Sequence, residues 1–231
     1  MTKYRVTILF MFGVLLFQVT VWPGSNGGYT AEAPMGPAQL KLNKILNSLE
    51  KRYAGPGFAA DFHQESTLKE LEITDTAAGK IFVKRPGKMR WEYDTPEKQI
   101  IITDSKKLWI FRPEDNQVMV GEAPAFFGEG KGASFLSDMK SIRKSFLILP
   151  EIIDVAQQYV LKLEPIQKKV DISKIYLTVS KKTFEIEKIV TFNSYGDRTR
   201  IRLSQFDFRR VMDDSMFQFT IPRGVEVLQL D

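Results

Sequence analysis

Lys88-Met-Arg-Trp-Glu-Tyr-Asp94 is the stretch on which the fold turns. Met89, Trp91 and Tyr93 fall on one side and Lys88, Arg90, Glu92 and Asp94 on the other, the period-two pattern of a half-buried β-strand. Upstream, Phe58, Ala60 and Phe62 alternate with Ala59, Asp61 and His63. Downstream, strands are expected around Phe184/Ile186/Val190/Phe192, over Arg198 to Leu203, and around Phe217/Phe219/Ile221. Turn signals stand between them at Arg85-Pro86-Gly87, Thr95-Pro96, Asp104-Ser105, Pro113 to Asn116 and Ser194 to Asp197. Short strands joined by such turns predict an antiparallel meander of roughly eleven strands.

Two segments keep a different period. Leu42, Ile45, Leu46, Leu49 and Tyr53 repeat as one face of a helix, with Lys41, Lys44, Lys51 and Arg52 opposite, and Gly55-Pro56-Gly57 ends it. After the glycine-rich Gly128 to Gly132, helical spacing returns at Phe135, Leu136, Met139, Ile142 and Phe146. A sheet this long curls, and its concave face needs a cover. The expected fold is therefore mainly β with an α lid: an unclosed antiparallel half-barrel covered by short amphipathic helices.

Composition agrees with a single folded domain. A chain of 231 residues with 43% hydrophobic and 26% charged residues is neither disordered nor a multi-span membrane protein. There is no cysteine, which excludes disulfides, thiolate metal sites, a cysteine nucleophile and a lipid-bearing N-terminal cysteine. With one histidine, His63, a histidine-rich zinc site is excluded too. Lys3 and Arg5 precede the uncharged Val6 to Val21 and Trp22-Pro23-Gly24, the pattern of an export signal. Residues 1–33 are thus expected to be signal and linker, with Ser25-Asn26-Gly27 and Ala31-Glu32-Ala33 as cleavage candidates, and 34–231 to be one exported domain. The alternative is an uncleaved anchor.

No catalytic set emerges. Gly128-Glu-Gly-Lys-Gly132 lacks the Ser or Thr after lysine and the earlier glycine of a phosphate loop. His63 lies on the polar side of its strand, and Glu92 and Asp94 share theirs with Lys88 and Arg90, as on a solvated charged face. Charges of both signs are mixed along the chain, which together with export argues against a nucleic-acid groove. What stands out is seventeen Phe and eight Met. A lidded, curled sheet encloses a cavity, and Phe/Met linings adapt to flexible apolar guests such as acyl chains. The candidate cavity and lid residues are Leu42, Ile45, Leu46, Leu49, Phe62, Phe82, Met89, Trp91, Trp109, Phe111, Phe135, Leu136 and Met139.

Four blocks, Phe58-Ala-Ala-Asp-Phe-His-Gln64, Gly79-Lys-Ile-Phe-Val-Lys-Arg-Pro-Gly-Lys-Met-Arg-Trp-Glu-Tyr93, Ile101-Ile-Thr-Asp-Ser-Lys-Lys-Leu-Trp-Ile-Phe111 and Phe217-Gln-Phe-Thr-Ile-Pro-Arg-Gly-Val-Glu-Val227, resemble the LolA-type outer-membrane lipoprotein carriers. The resemblance implies a periplasmic, monomeric, non-enzymatic chaperone without cofactor, whose apolar interior takes lipoprotein acyl chains. It further implies cargo received from an inner-membrane lipoprotein-releasing ABC transporter and passed to a lipid-anchored outer-membrane receptor. It places the family's lid-locking arginine on Arg85. A guanidinium, with five donors in a fixed fork, is suited to hold several carbonyls of a cover and release them together. On the same fold, an anchored or periplasmic module that senses lipid or lipoprotein is the alternative, and it gains if the N-terminal segment stays in the membrane.

Overall fold

The structure, a computed structural model, describes residues 36–123, 133–149, 153–167 and 171–230. The expected signal segment and the glycine-rich 128–132 stretch lie outside the described residues.

Helix α1 (Pro37–Arg52) begins with proline in its first turn, where the missing N–H costs nothing, and ends on Lys51 and Arg52, which complement the helix dipole. It buries Leu42, Ile45, Leu46 and Leu49. The chain then runs through β1 (Gly57–Leu68), β2 (Ile73–Lys84), β3 (Lys88–Thr95), β4 (Gln99–Asp104), β5 (Lys107–Arg112) and β6 (Gln117–Glu122). A second covering segment follows. In place of one amphipathic helix, residues 133–136 form a 3-10 turn, and only α2 (Ser141–Ser145) is α-helical. Next come β7 (Phe146–Ile148), β8 (Ile153–Val155), β9 (Gln158–Pro165), β10 (Lys174–Ser180), β11 (Ile186–Phe192), β12 (Arg198–Asp207) and β13 (Glu226–Gln229).

These thirteen strands form one unclosed sheet in the order β13-β6-β5-β4-β3-β2-β1-β12-β11-β10-β9-β7, with β8 also on β9. The count exceeds the expected eleven; β7 and β8, at three residues each, are too short to show an alternation. All pairings are antiparallel except β13 on β6, which is parallel. The strand expected near Phe217–Ile221 is instead a 3-10 turn (Asp214–Phe217) leading into irregular chain.

Pairing register assigns the faces. Ile81, Trp91, Ile101, Ile110 and Met119 stand opposite one another in adjacent strands and so share one face. Phe82, Arg90, Ile102, Trp109 and Val120 share the other. The first face joins the core that α1 and residues 133–146 cover; we call it inner. Over the outer face lies the C-terminal segment, with Met212 and Phe217 packed on Ala59 and Phe82. Gly79 marks a register shift in β2, where a Cβ would stand 1.8 Å from the Glu92 carbonyl oxygen, so only glycine permits the strands to approach.

Polar contacts pin that segment. Lys84 and Lys88 reach the Asp214 carboxylate at 2.6 and 3.0 Å, Arg90 donates to the Met216 carbonyl at 3.1 Å, and Asp213 accepts from the Ser215 N–H. Bonding to Ser215 lowers the Asp213 pKa, and bonding to Lys84 and Lys88 lowers that of Asp214. A carboxyl depressed on folding adds stability above its unfolded pKa, near 3.9, and loses it as pH falls through the depressed value. Melting temperature should therefore fall with pH below about 4, and Asp214→Asn should flatten that dependence.

Candidate functional site

The inner face and its cover make one continuous apolar body. Leu42, Ile45, Leu46 and Leu49 of α1 and Phe135, Leu136, Met139, Ile142 and Phe146 of the second cover segment are all buried against it. Across from them lie Phe58, Phe62, Met89 and Trp91. Phe62 stacks edge-on to both Trp91 and Tyr93, with centroids 4.9 Å away in each case. The Tyr93 hydroxyl donates to Gln64 at 3.2 Å, and burial raises its pKa out of any physiological range. The cover side chains and the inner face of the sheet belong to one buried apolar cluster.

Few polar ties hold the cover down. Arg85 ends up beyond the last residue of β2, where its side chain leaves the sheet and meets both cover segments. It donates to the Gly55 carbonyl just past α1 and, at 3.3 Å, to the Leu136 carbonyl. Its own N–H bonds Pro56 at 2.8 Å. Desolvation lowers the guanidinium's pKa and the nearby Tyr53 and Asp138 oppose that shift; arginine stays charged in either case. At the same end Tyr53 accepts the Ile186 N–H at 2.9 Å, and Arg52 pairs with Glu185 while lying 3.7 Å over the Phe208 ring.

Sequence reasoning missed a second arginine. Arg143 of α2 donates to Glu50, to Asn47 at 2.7 Å and to Asn43 at 3.4 Å, tying the two cover segments to each other. Asn43, Asn47 and Glu50 recur at i, i+4 and i+7 on α1, so the polar stripe was present in the helical pattern. Its partner lay in a segment whose helix is only five residues long.

Three proposed lining residues are elsewhere. Phe82 points outward, 4% exposed beneath Met212 and Phe217, with Arg210 5.2 Å from its ring. Trp109 stands opposite Ile102 and Val120 on the outer face. Phe111, two residues on, contacts Phe219 of the C-terminal segment at 5.2 Å. The other ten, Leu42, Ile45, Leu46, Leu49, Phe62, Met89, Trp91, Phe135, Leu136 and Met139, sit in the inner core. Among the described residues no cluster of three or more His, Asp or Glu could hold a metal ion.

The family model for the outer membrane lipoprotein carrier protein LolA matches residues 56–220, which take in the sheet as far as β12 and the second cover segment. This chain belongs to the LolA family. LolA-family members are carriers, not enzymes. Among its relatives, an outer-membrane lipoprotein carrier protein of Nitrosomonas europaea is 30% identical over 172 residues, covering 74% of this chain and 82% of that one. Another, from Coxiella burnetii, is 24% identical and covers 95% of both chains. Solved structures share the LolA-like fold at low identity. An uncharacterized conserved protein of Thermus thermophilus superposes with TM-score 0.51 at 12% identity, over 82% of this chain and 99% of that one. MucB superposes with TM-score 0.51 at 14% identity, over 84% of this chain and 67% of that one.

Proposed function

We propose that this protein is a periplasmic carrier that takes the acyl chains of lipoproteins into the space between the inner sheet face and its cover. It receives them from an inner-membrane ABC transporter and delivers them to a lipid-anchored outer-membrane receptor. The observation that carries this reading is the arrangement of the cover: fully apolar beneath, and fastened at one end by the Arg85 fork on two carbonyls.

Energetics fit a reversible opening. Lifting α1 and residues 133–146 exposes large apolar side chains on both sides of the interface, at ~1.5–3 kcal/mol for each fully buried one. An acyl chain gains ~0.8 kcal/mol per buried methylene and occupies the same surfaces, so it offsets most of what opening costs. Phe and Met on the lining tolerate chains of different length and position. Such an interior binds without fixing a single pose, which suits a protein that must also let go. Arg85 breaks both carbonyl bonds in one motion because they share one guanidinium.

The test is purification of the protein from the compartment where it works, under mild extraction, with mass spectrometry of whatever accompanies it. Acylated lipoproteins are expected in the wild-type sample, and in reduced amount when Leu136 and Met139 are both changed to Asp. Absence of any acylated species from the wild-type sample would overturn the carrier reading.

A further inference from the structure

The outer face of the sheet is divided in two. Residues 208–219 cover it over β2, β3 and β5, through Phe217 on Phe82, the Met216 carbonyl on Arg90 and Phe219 on Phe111. Over β9–β12 the same face is a lattice of cations. Leu161, Leu163, Ile175, Leu177, Ile189 and Ile201 point inward, so their neighbours point out. Arg198, Arg200 and Arg202 stand along β12, Lys188 lies opposite Arg202 on β11, and Lys174 and Lys162 follow on β10 and β9. Carboxylates stand among these six cations: Glu65 bonds Arg200 and Arg202, Glu164 pairs with Lys162, and Glu187 of β11 accepts from Gln158.

The middle of the lattice is amphipathic. Tyr176 and Phe192 meet edge-on at 6.1 Å, and the Lys174 ammonium lies 4.9 Å from the Phe192 ring. At one end of the face two apolar side chains stand out: Tyr195, 67% exposed in the β11–β12 turn, and Ile166, 61% exposed just past β9. The Ser173 hydroxyl bonds the Phe192 and Asn193 carbonyls and so holds these two turns together.

We infer that this face is a contact for a phospholipid surface rich in anionic head groups, separate from the apolar interior and independent of whether cargo is bound. The cations are spread over the outer, convex side of the sheet, with neighbouring strands about 4.8 Å apart, rather than gathered in a concave pocket. An open field of this kind attracts a charged surface and does not select one anion. The apolar residues are single projecting side chains at the edge, sized to enter the head-group layer, and one is a tyrosine, a residue favoured at that depth.

Each Lys or Arg close to an anionic membrane adds roughly fivefold to partitioning. The full chain is tested on phosphatidylcholine vesicles with and without about one-third phosphatidylglycerol, comparing variants that share the same N-terminal segment. Lys174→Ser, Lys188→Ser and Arg198→Ser combined leave the Glu65 pairs intact and should lower partitioning on the order of 100-fold. A control with the same charge loss elsewhere, Lys106→Ser, Lys107→Ser and Lys140→Ser, should stay within about threefold of wild type. Arg202→Ser alone, with its side chain half exposed, should cost about fivefold and serves if the triple variant does not fold. Equal losses in the triple variant and its control, or equal wild-type binding to vesicles without the anionic lipid, would overturn the inference. So would a triple variant that binds vesicles normally but loses a protein partner.

Discussion

Arg85→Leu should leave the sheet intact and set the cover loose. Each hydrogen bond from a charged group contributes ~1.5–3 kcal/mol, and Arg85 makes two to the cover, one partly exposed. Discounting for solvent, a net loss of ~2 kcal/mol raises the population of the open form roughly 30-fold. Amide exchange over residues 133–149 and along α1 should accelerate by about that factor, while the amides of β1–β4 remain the slowest to exchange. Cargo should load more readily and the balance between holding and releasing it should shift. Arg85→Lys keeps the charge but not the fork, and should recover only part of the protection. Arg143→Ala should speed exchange in both cover segments by a smaller factor, because it ties them to each other and not to the sheet. Unchanged exchange in Arg85→Leu would remove the latch.

Phe58→Ala should act on the whole molecule. Phe58 is fully buried at the start of β1, with ring centroids of Tyr53, Phe206 and Phe208 at 5.3, 5.7 and 5.3 Å. Removing a ring from such a site costs ~3–5 kcal/mol, the lost transfer energy plus the cavity left behind. Against a typical total of ~5–15 kcal/mol, that is a large share of the stability. Denaturant titration should show a much lower midpoint with an unchanged slope. The two substitutions thus differ in where and how far they act: Arg85→Leu lowers the midpoint by the smaller amount and shows first in exchange of the cover, while Phe58→Ala shows chiefly in the midpoint.

The pattern of the chain carried the sheet, the first helix and the apolar interior, because period two and period 3.6 are direct consequences of backbone geometry. It could not say which apolar face was inner. In β2, β4 and β5 both faces carry large apolar side chains: Ile81 and Val83 line the core while Phe82 meets the C-terminal segment, and Ile101 and Ile110 alternate with Ile102 and Trp109. Alternation sorts residues into two sets and leaves their assignment to tertiary contacts, which is why Phe82, Trp109 and Phe111 went to the wrong side. Arg85 shows the complementary case. An arginine before a proline at a strand end is unremarkable by local criteria, and only the resemblance to a family drew attention to Arg85. Its carbonyl partners at Gly55 and Leu136 are backbone atoms, which leave no mark on side-chain pattern.

The seam between β1 and β12 has a consequence for how the molecule assembles. On one side, β1 to β6 run as consecutive neighbours; on the other, β9 to β12 do the same. Each half is built from local pairings, and the two are joined along the β1–β12 pairing, from Ala59 opposite Asp207 to Thr67 opposite Arg198. Pairings so distant in sequence form late, because the loop between them must close before the contact rewards it. A growing chain therefore holds two separate ribbons until β12 is complete. The enclosed interior comes into being as a single late event, when the ribbons are stitched and the cover has a full surface to lie on.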